Sequence, residues 1–226
     1  MSYTPNDSAG FPACGATIDQ KCRDLQQVKN RGDLGECIAL LVLQHSPVEI
    51  QRMKQNFSDK IQDITPEYRD RLTKKITEHL LGTYQRIRLL QQQGIFKTMP
   101  EPMAEHQKKY WDMVAEQCRR DAGGDAPDIR FLKYLLAGFC MLVVNEPGHP
   151  AGTPFHGGNS VQFTHGVYYC PVREKAKDVD AALCPFCPAL QTPEMENPGP
   201  QSTRASTVSR SSLNTPTNSI PSTDNS

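Results

Sequence analysis

The sequence predicts a mainly α protein: a bundle of about six helices, then a small irregular cysteine-rich lobe, then a disordered tail. Three observations carry that expectation. Through most of residues 17–145 apolar side chains recur at three- and four-residue steps, the period of one buried helix face. At Pro147 the chain turns abruptly to glycine and proline. After residue 192, serine, threonine, proline and asparagine replace nearly every large apolar residue.

Residues 1–16 contain glycine, proline and serine and are expected to be flexible. A first helix is expected from about Ile18 to Lys29 and a second from about Leu34 to Gln44. Ser46-Pro47-Val48-Glu49 reads as a capping box with proline at the first helical position. Behind it Ile50, Met53, Phe57 and Ile61 mark a buried face. Thr65-Pro66-Glu67 opens the next helix, whose stripe is Tyr68, Leu72, Ile76, Leu80, Ile87 and Leu90, and Gly94 stops it. A helix near 101–121 carries Met103, Tyr110, Trp111, Val114 and Cys118, and Gly123-Gly124 breaks it. Asp125-Ala126-Pro127 starts the last, which runs to Val144. Its Tyr134–Val144 segment is the longest apolar run. That run is too short to span a bilayer and reads instead as the centre of the bundle.

Residues 146–192 form the expected lobe. Gly148 to Gly158 is too rich in turn formers for a helix. Val161-Gln162-Phe163 and Val167-Tyr168-Tyr169 are expected as two short strands joined through Thr164-His165-Gly166, with a short helix over Lys177 to Leu183. Residues 193–226 cannot bury enough apolar surface to offset their ordering entropy and are expected to be disordered.

Lysine plus arginine equals aspartate plus glutamate, 25 each. A balanced chain has no global electrostatic footprint for nucleic acid or an anionic membrane. The N-terminus has no basic stretch followed by an apolar one, so no secretory signal is visible and a cytoplasmic location is expected. In a reducing compartment the 8 cysteines are expected as metal ligands, buried residues or redox groups rather than structural disulfides. Neither a phosphate loop nor a dinucleotide fingerprint is present. His79 lies on the stripe of its helix and reads as a buried, hydrogen-bonded histidine; Cys22 and Cys37 read as packing thiols.

The chemistry concentrates in Tyr168-Tyr169-Cys170-Pro171-Val172-Arg173-Glu174-Lys175 and Cys184-Pro185-Phe186-Cys187. Three thiols in turn-rich sequence, two at C-x-x-C spacing, can converge on one ion. Soft sulfur selects zinc or an iron–sulfur cluster over magnesium or calcium. Cys170, Cys184 and Cys187 are therefore the expected ligands of a zinc ion or a [4Fe–4S] cluster. A tetrahedral zinc needs a fourth ligand. His165, five residues before Cys170, and His149 in the glycine–proline loop are the first candidates, with His156 and Cys140 as alternatives.

The two cysteine segments, together with His149-Pro150-Ala151-Gly152-Thr153-Pro154-Phe155-His156-Gly157-Gly158, resemble an uncharacterised family of archaeal proteins best represented in methanogens. The resemblance covers about residues 130–190. It implies a shared cysteine motif and no assigned activity. It also implies an anaerobic archaeal cytoplasm, which gives the cluster more weight against zinc. The serine- and threonine-rich tail is not part of it.

Two functional expectations follow. One is an accessory or binding module with a metal-stabilised lobe, for which a protein partner of unknown identity is the natural complement. The other is a metal- or cluster-dependent enzyme or redox protein with the glycine–proline loop over its site. No general base beside the cysteines is evident apart from His165 and His149, which favours the first. A thiol oxidoreductase acting through Cys184 and Cys187 would need an α/β context that this helical chain lacks.

Overall fold

The computed structural model describes residues 15–120, 126–155, 158–174 and 183–193. Six α-helices are formed among them: α1 (Ile18–Gln27), α2 (Arg31–Val42), α3 (Pro47–Lys60), α4 (Pro66–Gln92), α5 (Glu105–Arg119) and α6 (Pro127–Gly138). Local chemistry sets their starts. Thr17 Oγ1 accepts from the Gln20 N–H at 3.2 Å, and Asn30 Oδ1 from the Asp33 N–H at 2.8 Å. Each fills one of the backbone donors that a helix start leaves open. Glu49 accepts from the Ser46 N–H at 2.7 Å, one arm of the expected capping box. Proline sits in the first turn of α3, α4 and α6, where its missing N–H leaves nothing unpaired. Gly94 ends α4 with φ 66°, and a single 3₁₀ turn, Ile95–Thr98, follows it.

Two helices depart from their expected starts for one reason. α2 begins at Arg31 because Asn30 caps it there. α5 begins only at Glu105, because the preceding residues are tied to the start of α2: the Arg31 N–H donates to the Glu101 carbonyl, and the Met103 N–H to the Lys29 carbonyl, both at 2.9 Å. α2 also lies very close to the 3₁₀ turn. A Cβ on Gly32 would meet the Phe96 carbonyl oxygen at 2.1 Å, and one on Gly35 the Phe96 ring at 2.5 Å.

The last helix is the centre of the bundle. α6 continues into a five-residue π-helix, Phe139–Val143, and together they touch α2, α3, α4 and α5. Leu135, Leu136, Phe139 and Val143 are shut off from solvent. In the widened turn the Val144 N–H reaches the Phe139 carbonyl at 3.1 Å. Arg31 caps this end, donating to the Val143 carbonyl through Nε at 3.0 Å and also through Nη2. Arg130 does the same for the end of α5, donating to the Gln117 carbonyl at 2.9 Å and to the Arg120 carbonyl.

The strands lie where expected, with one addition. β1 (Gln162–Thr164) and β2 (Val167–Cys170) form an antiparallel hairpin with Thr164 opposite Val167. β3 (Leu190–Gln191) joins β2 in parallel, Tyr169 opposite Leu190. Val161, Cys170 and Ala189 are the buried centre of this lobe. Phe186 sets its ring edge to face on Tyr110 of α5 at 5.2 Å between centroids.

No helix among the described residues is long and apolar enough to cross a membrane. The break at Gly123-Gly124, most of the expected helix from Lys177, nearly all of the N-terminal segment and the tail beyond Pro193 lie outside the described residues.

Candidate functional site: a thiol lobe and a neighbouring cleft

Cys170 closes β2 and is 6% exposed. Cys184 opens a 3₁₀ turn, Cys184–Phe186, and the Cys187 N–H donates back to the Cys184 carbonyl at 3.1 Å. β3 follows that turn and pairs with β2, Gln191 opposite Cys170. Cys187 packs against the cluster around Cys170. The thiols feel one another's charge: burial raises the Cys170 and Cys184 thiols first, and Cys187 raises both further. Arg173 opposes the rise in both, and the backbone N–H groups of Val172 and Arg173 bond the Cys170 sulfur and favour its thiolate. Among the described residues, however, no group of three or more His, Cys, Asp or Glu side chains is arranged to hold a metal ion. The thiols are gathered without being converged.

The candidate fourth ligands lie elsewhere. His165 sits at the hairpin tip, exposed, with φ 51°. Five residues separate it from Cys170, but strand β2 runs between them, with His165 before its start and Cys170 at its end. His149 stands over Phe155, ring edge to face at 5.7 Å. Cys140 is 2% exposed in the π-helix. His156 lies outside the described residues.

His149 and His79 instead meet at a cleft of about 170 Å³. Its apolar walls include Phe57 of α3, Leu80 of α4, Ile129 and Leu136 of α6, and Leu183. His79 Nε2 lies 3.7 Å from Cys140 Sγ, and Thr83 Oγ1 lies 3.6 Å from the same sulfur. His79 also hydrogen-bonds the Gly148 backbone, which fixes its ring. Burial lowers its pKa, and His149 lowers it further. A thiol, an imidazole and a group orienting that imidazole have the outline of a nucleophilic site. Burial decides against that here: it pushes the Cys140 thiol up to about 11, so almost none is thiolate at neutral pH. The chain Thr83–Cys140–His79–Gly148 is a buried hydrogen-bond relay that braces α4 against the end of α6.

The expected hydrogen bonding of His79 is thus present, and the sequence's periodicity signalled it. Thr83 and Lys133, which also border the cleft, gave no signal, because nothing local marks which exposed faces of separate helices will meet.

Fold and site together define a helical protein with a small thiol-bearing β lobe docked on its bundle. The chain belongs to the family described as "Uncharacterized protein conserved in archaea (DUF2115)", which matches residues 30–192, from α2 through the lobe. It is similar to the UPF0305 protein MK0666 of Methanopyrus kandleri, with 34% identity over 96 residues, covering 42% of this chain and 67% of the relative. It is similar also to two UPF0305 proteins of Methanothermobacter thermautotrophicus. One is 53% identical over 69 residues (30% of this chain, 43% of the relative). The other is 30% identical over 84 residues (37% of this chain, 51% of the relative). Against these two the chain spans about half of the relative's length or less. No solved structure matches the chain. The archaeal family and the methanogen relatives agree with the family resemblance seen in the sequence.

Proposed function

We propose that the chain is a helical accessory or binding module whose C-terminal lobe is held by a thiolate-bound metal, with Cys170, Cys184 and Cys187 as ligands. The observation that carries this reading is the nearness of three thiols within a lobe built on a very small sheet. Its strands are 3, 4 and 2 residues long, too short for independent stability. Among the described residues, Val161, Cys170 and Ala189 form its buried centre. A metal closing the thiols would supply folding free energy that such a core does not. Burial raises the Cys170 and Cys184 thiols first and the neighbouring Cys187 raises both further, and a cation held among them would oppose that rise.

Zinc and a [4Fe–4S] cluster share this ligand chemistry, and both are tested by the same preparation. Protein purified without oxygen is expected to contain zinc and be colourless, or contain iron and sulfide and absorb broadly in the visible. Cys184→Ser and Cys187→Ser should each lose most of that metal. Equal metal content in wild type and both variants, or none in any of them, would defeat the reading.

A further inference from the structure

The turn that carries Cys184 and Cys187 also carries a contact between the lobe and the bundle. The Phe186 N–H donates to the Leu183 carbonyl at 3.0 Å, and the Cys187 N–H to the Cys184 carbonyl at 3.1 Å. The place of Phe186 is therefore tied to the backbone of both cysteines. Its ring meets Tyr110 edge to face at 5.2 Å between centroids, and Tyr110 meets Trp111 in the same way at 4.9 Å. Tyr110 and Trp111 are both shut off from solvent in α5. The Tyr110 hydroxyl donates to the Tyr134 carbonyl of α6 at 2.7 Å, which fixes the ring on which Phe186 rests. Leu183 and Phe186 pack against the bundle core, and Cys187 packs against both that core and the buried centre of the lobe.

We propose that this turn couples the thiol site to the bundle: with a metal on Cys184 and Cys187 the turn is fixed and seats Phe186 on Tyr110, and the seated Phe186 holds the two thiols in place for the metal. The inference rests on the thiolate-bound metal proposed above and makes Phe186 a positioning residue for it. Coupling of this kind is reciprocal, so whatever factor docking adds to metal affinity, metal adds to docking. An edge-to-face aromatic pair stabilises beyond the area it buries, which gives the contact free energy to transmit. Occupancy of the thiols thereby sets how firmly the lobe is docked on α5.

The test uses the full chain, stripped of metal by a chelator under anaerobic reducing conditions and titrated with zinc alone against a competing indicator. Wild type is expected to bind zinc and Cys184→Ser to bind it far more weakly, which checks the thiols by themselves. Phe186→Ala keeps all three thiols and should bind zinc about tenfold more weakly, inside the range usual for coupling between two sites. Phe186→Leu restores an apolar body and should recover part of that loss. Tyr110→Leu removes the same contact from the bundle side and should weaken zinc binding to a similar extent. The double variant should then bind no more weakly than either single one, because both changes remove one contact. The two Phe186 variants decide the matter alone if Tyr110→Leu does not fold. Zinc affinity in Phe186→Ala equal to wild type, or single losses that add in the double variant, would overturn the proposal and leave the thiol site standing. Zinc held equally by wild type and Cys184→Ser, or by neither, would overturn it together with the thiolate zinc site on which it rests.

Discussion

A methyl group has opposite consequences at two glycines of this fold. Gly32 faces the Phe96 backbone, where a Cβ would lie 2.1 Å from a carbonyl oxygen. That oxygen belongs to the 3₁₀ turn, which is itself bonded to α2 through the Gly32 N–H and the Met99 carbonyl at 2.9 Å. Neither side can yield without breaking that bond, so Gly32→Ala should cost about 3 kcal/mol. Gly82 stands inside α4 with open space around it. There alanine only removes backbone entropy from the unfolded chain, and Gly82→Ala should stabilise by up to about 1 kcal/mol. Urea melts of the two variants check this, and two shifts of the same sign would refute the packing of α2. A second residue-scale effect follows from His79. Its pKa is lowered from 6.5, chiefly by burial, with His149 and Lys75 lowering it further while Glu146 and the Gly148 hydrogen bond oppose. A base depressed in the folded state binds its proton more readily when unfolded. Stability is therefore full above about pH 6.5 and falls as the pH drops below it, until the folded histidine also protonates. Glu49, held low by His45 and the Ser46 N–H, adds a loss of the same sign at lower pH. The melting temperature should fall from pH 7 to pH 5 more steeply in the wild type than in His79→Gln; parallel curves would show that His79 contributes nothing to it.

The helices end through partners in other helices, and this divides what the sequence shows from what it hides. Devices contained within four residues were legible: Ser46 with Glu49 and Thr65 with Pro66 open helices, Gly94 closes one, and each appears where its chemistry requires. The starts of α2 and α5 and the short pieces were not. The π-helix over Phe139–Val143 is closed by Arg31, 112 residues away in sequence from Val143, and β3 exists only because β2 is beside it. The close start of α2 depends on a 3₁₀ turn that periodicity cannot show, since one turn has no period. Arg31 carries a measurable share of this scaffold. Its guanidinium satisfies a partly buried carbonyl through two N–H groups. Arg31→Met leaves the carbonyl unpaired and should lower stability by about 1–3 kcal/mol. Arg31→Lys keeps a charge but loses the two-pronged geometry and should recover only part of it. Chemical denaturation of both variants tests this, and a methionine variant as stable as wild type would mean that the cap is ornamental.

For the whole molecule, the legible part of the site was the part concentrated in sequence. Cys170, Cys184 and Cys187 stand within one short segment, so composition alone drew attention to them. The cleft is assembled from α3, α4, α6, the His149 loop and Leu183, and no stretch of sequence contains its pattern. The same scale sets the extent of the folded unit. Three observations place a limit at Thr192: the compact unit closes there, the family match ends there, and the composition beyond it turns to serine, threonine, proline and asparagine. Side chains of that kind bring little apolar area to any core. We expect a chain ending at Thr192 to keep its helical circular dichroism and any metal bound by the thiols. Its melting temperature should stay within about 2–4 °C of the full chain, the shift produced by roughly 1 kcal/mol at this size. A larger drop would mean that residues 193–226 contribute apolar or polar contacts to the unit, and the limit would have to be moved beyond Thr192. Loss of metal without loss of helix would instead place a ligand in that segment and make the thiol site depend on it.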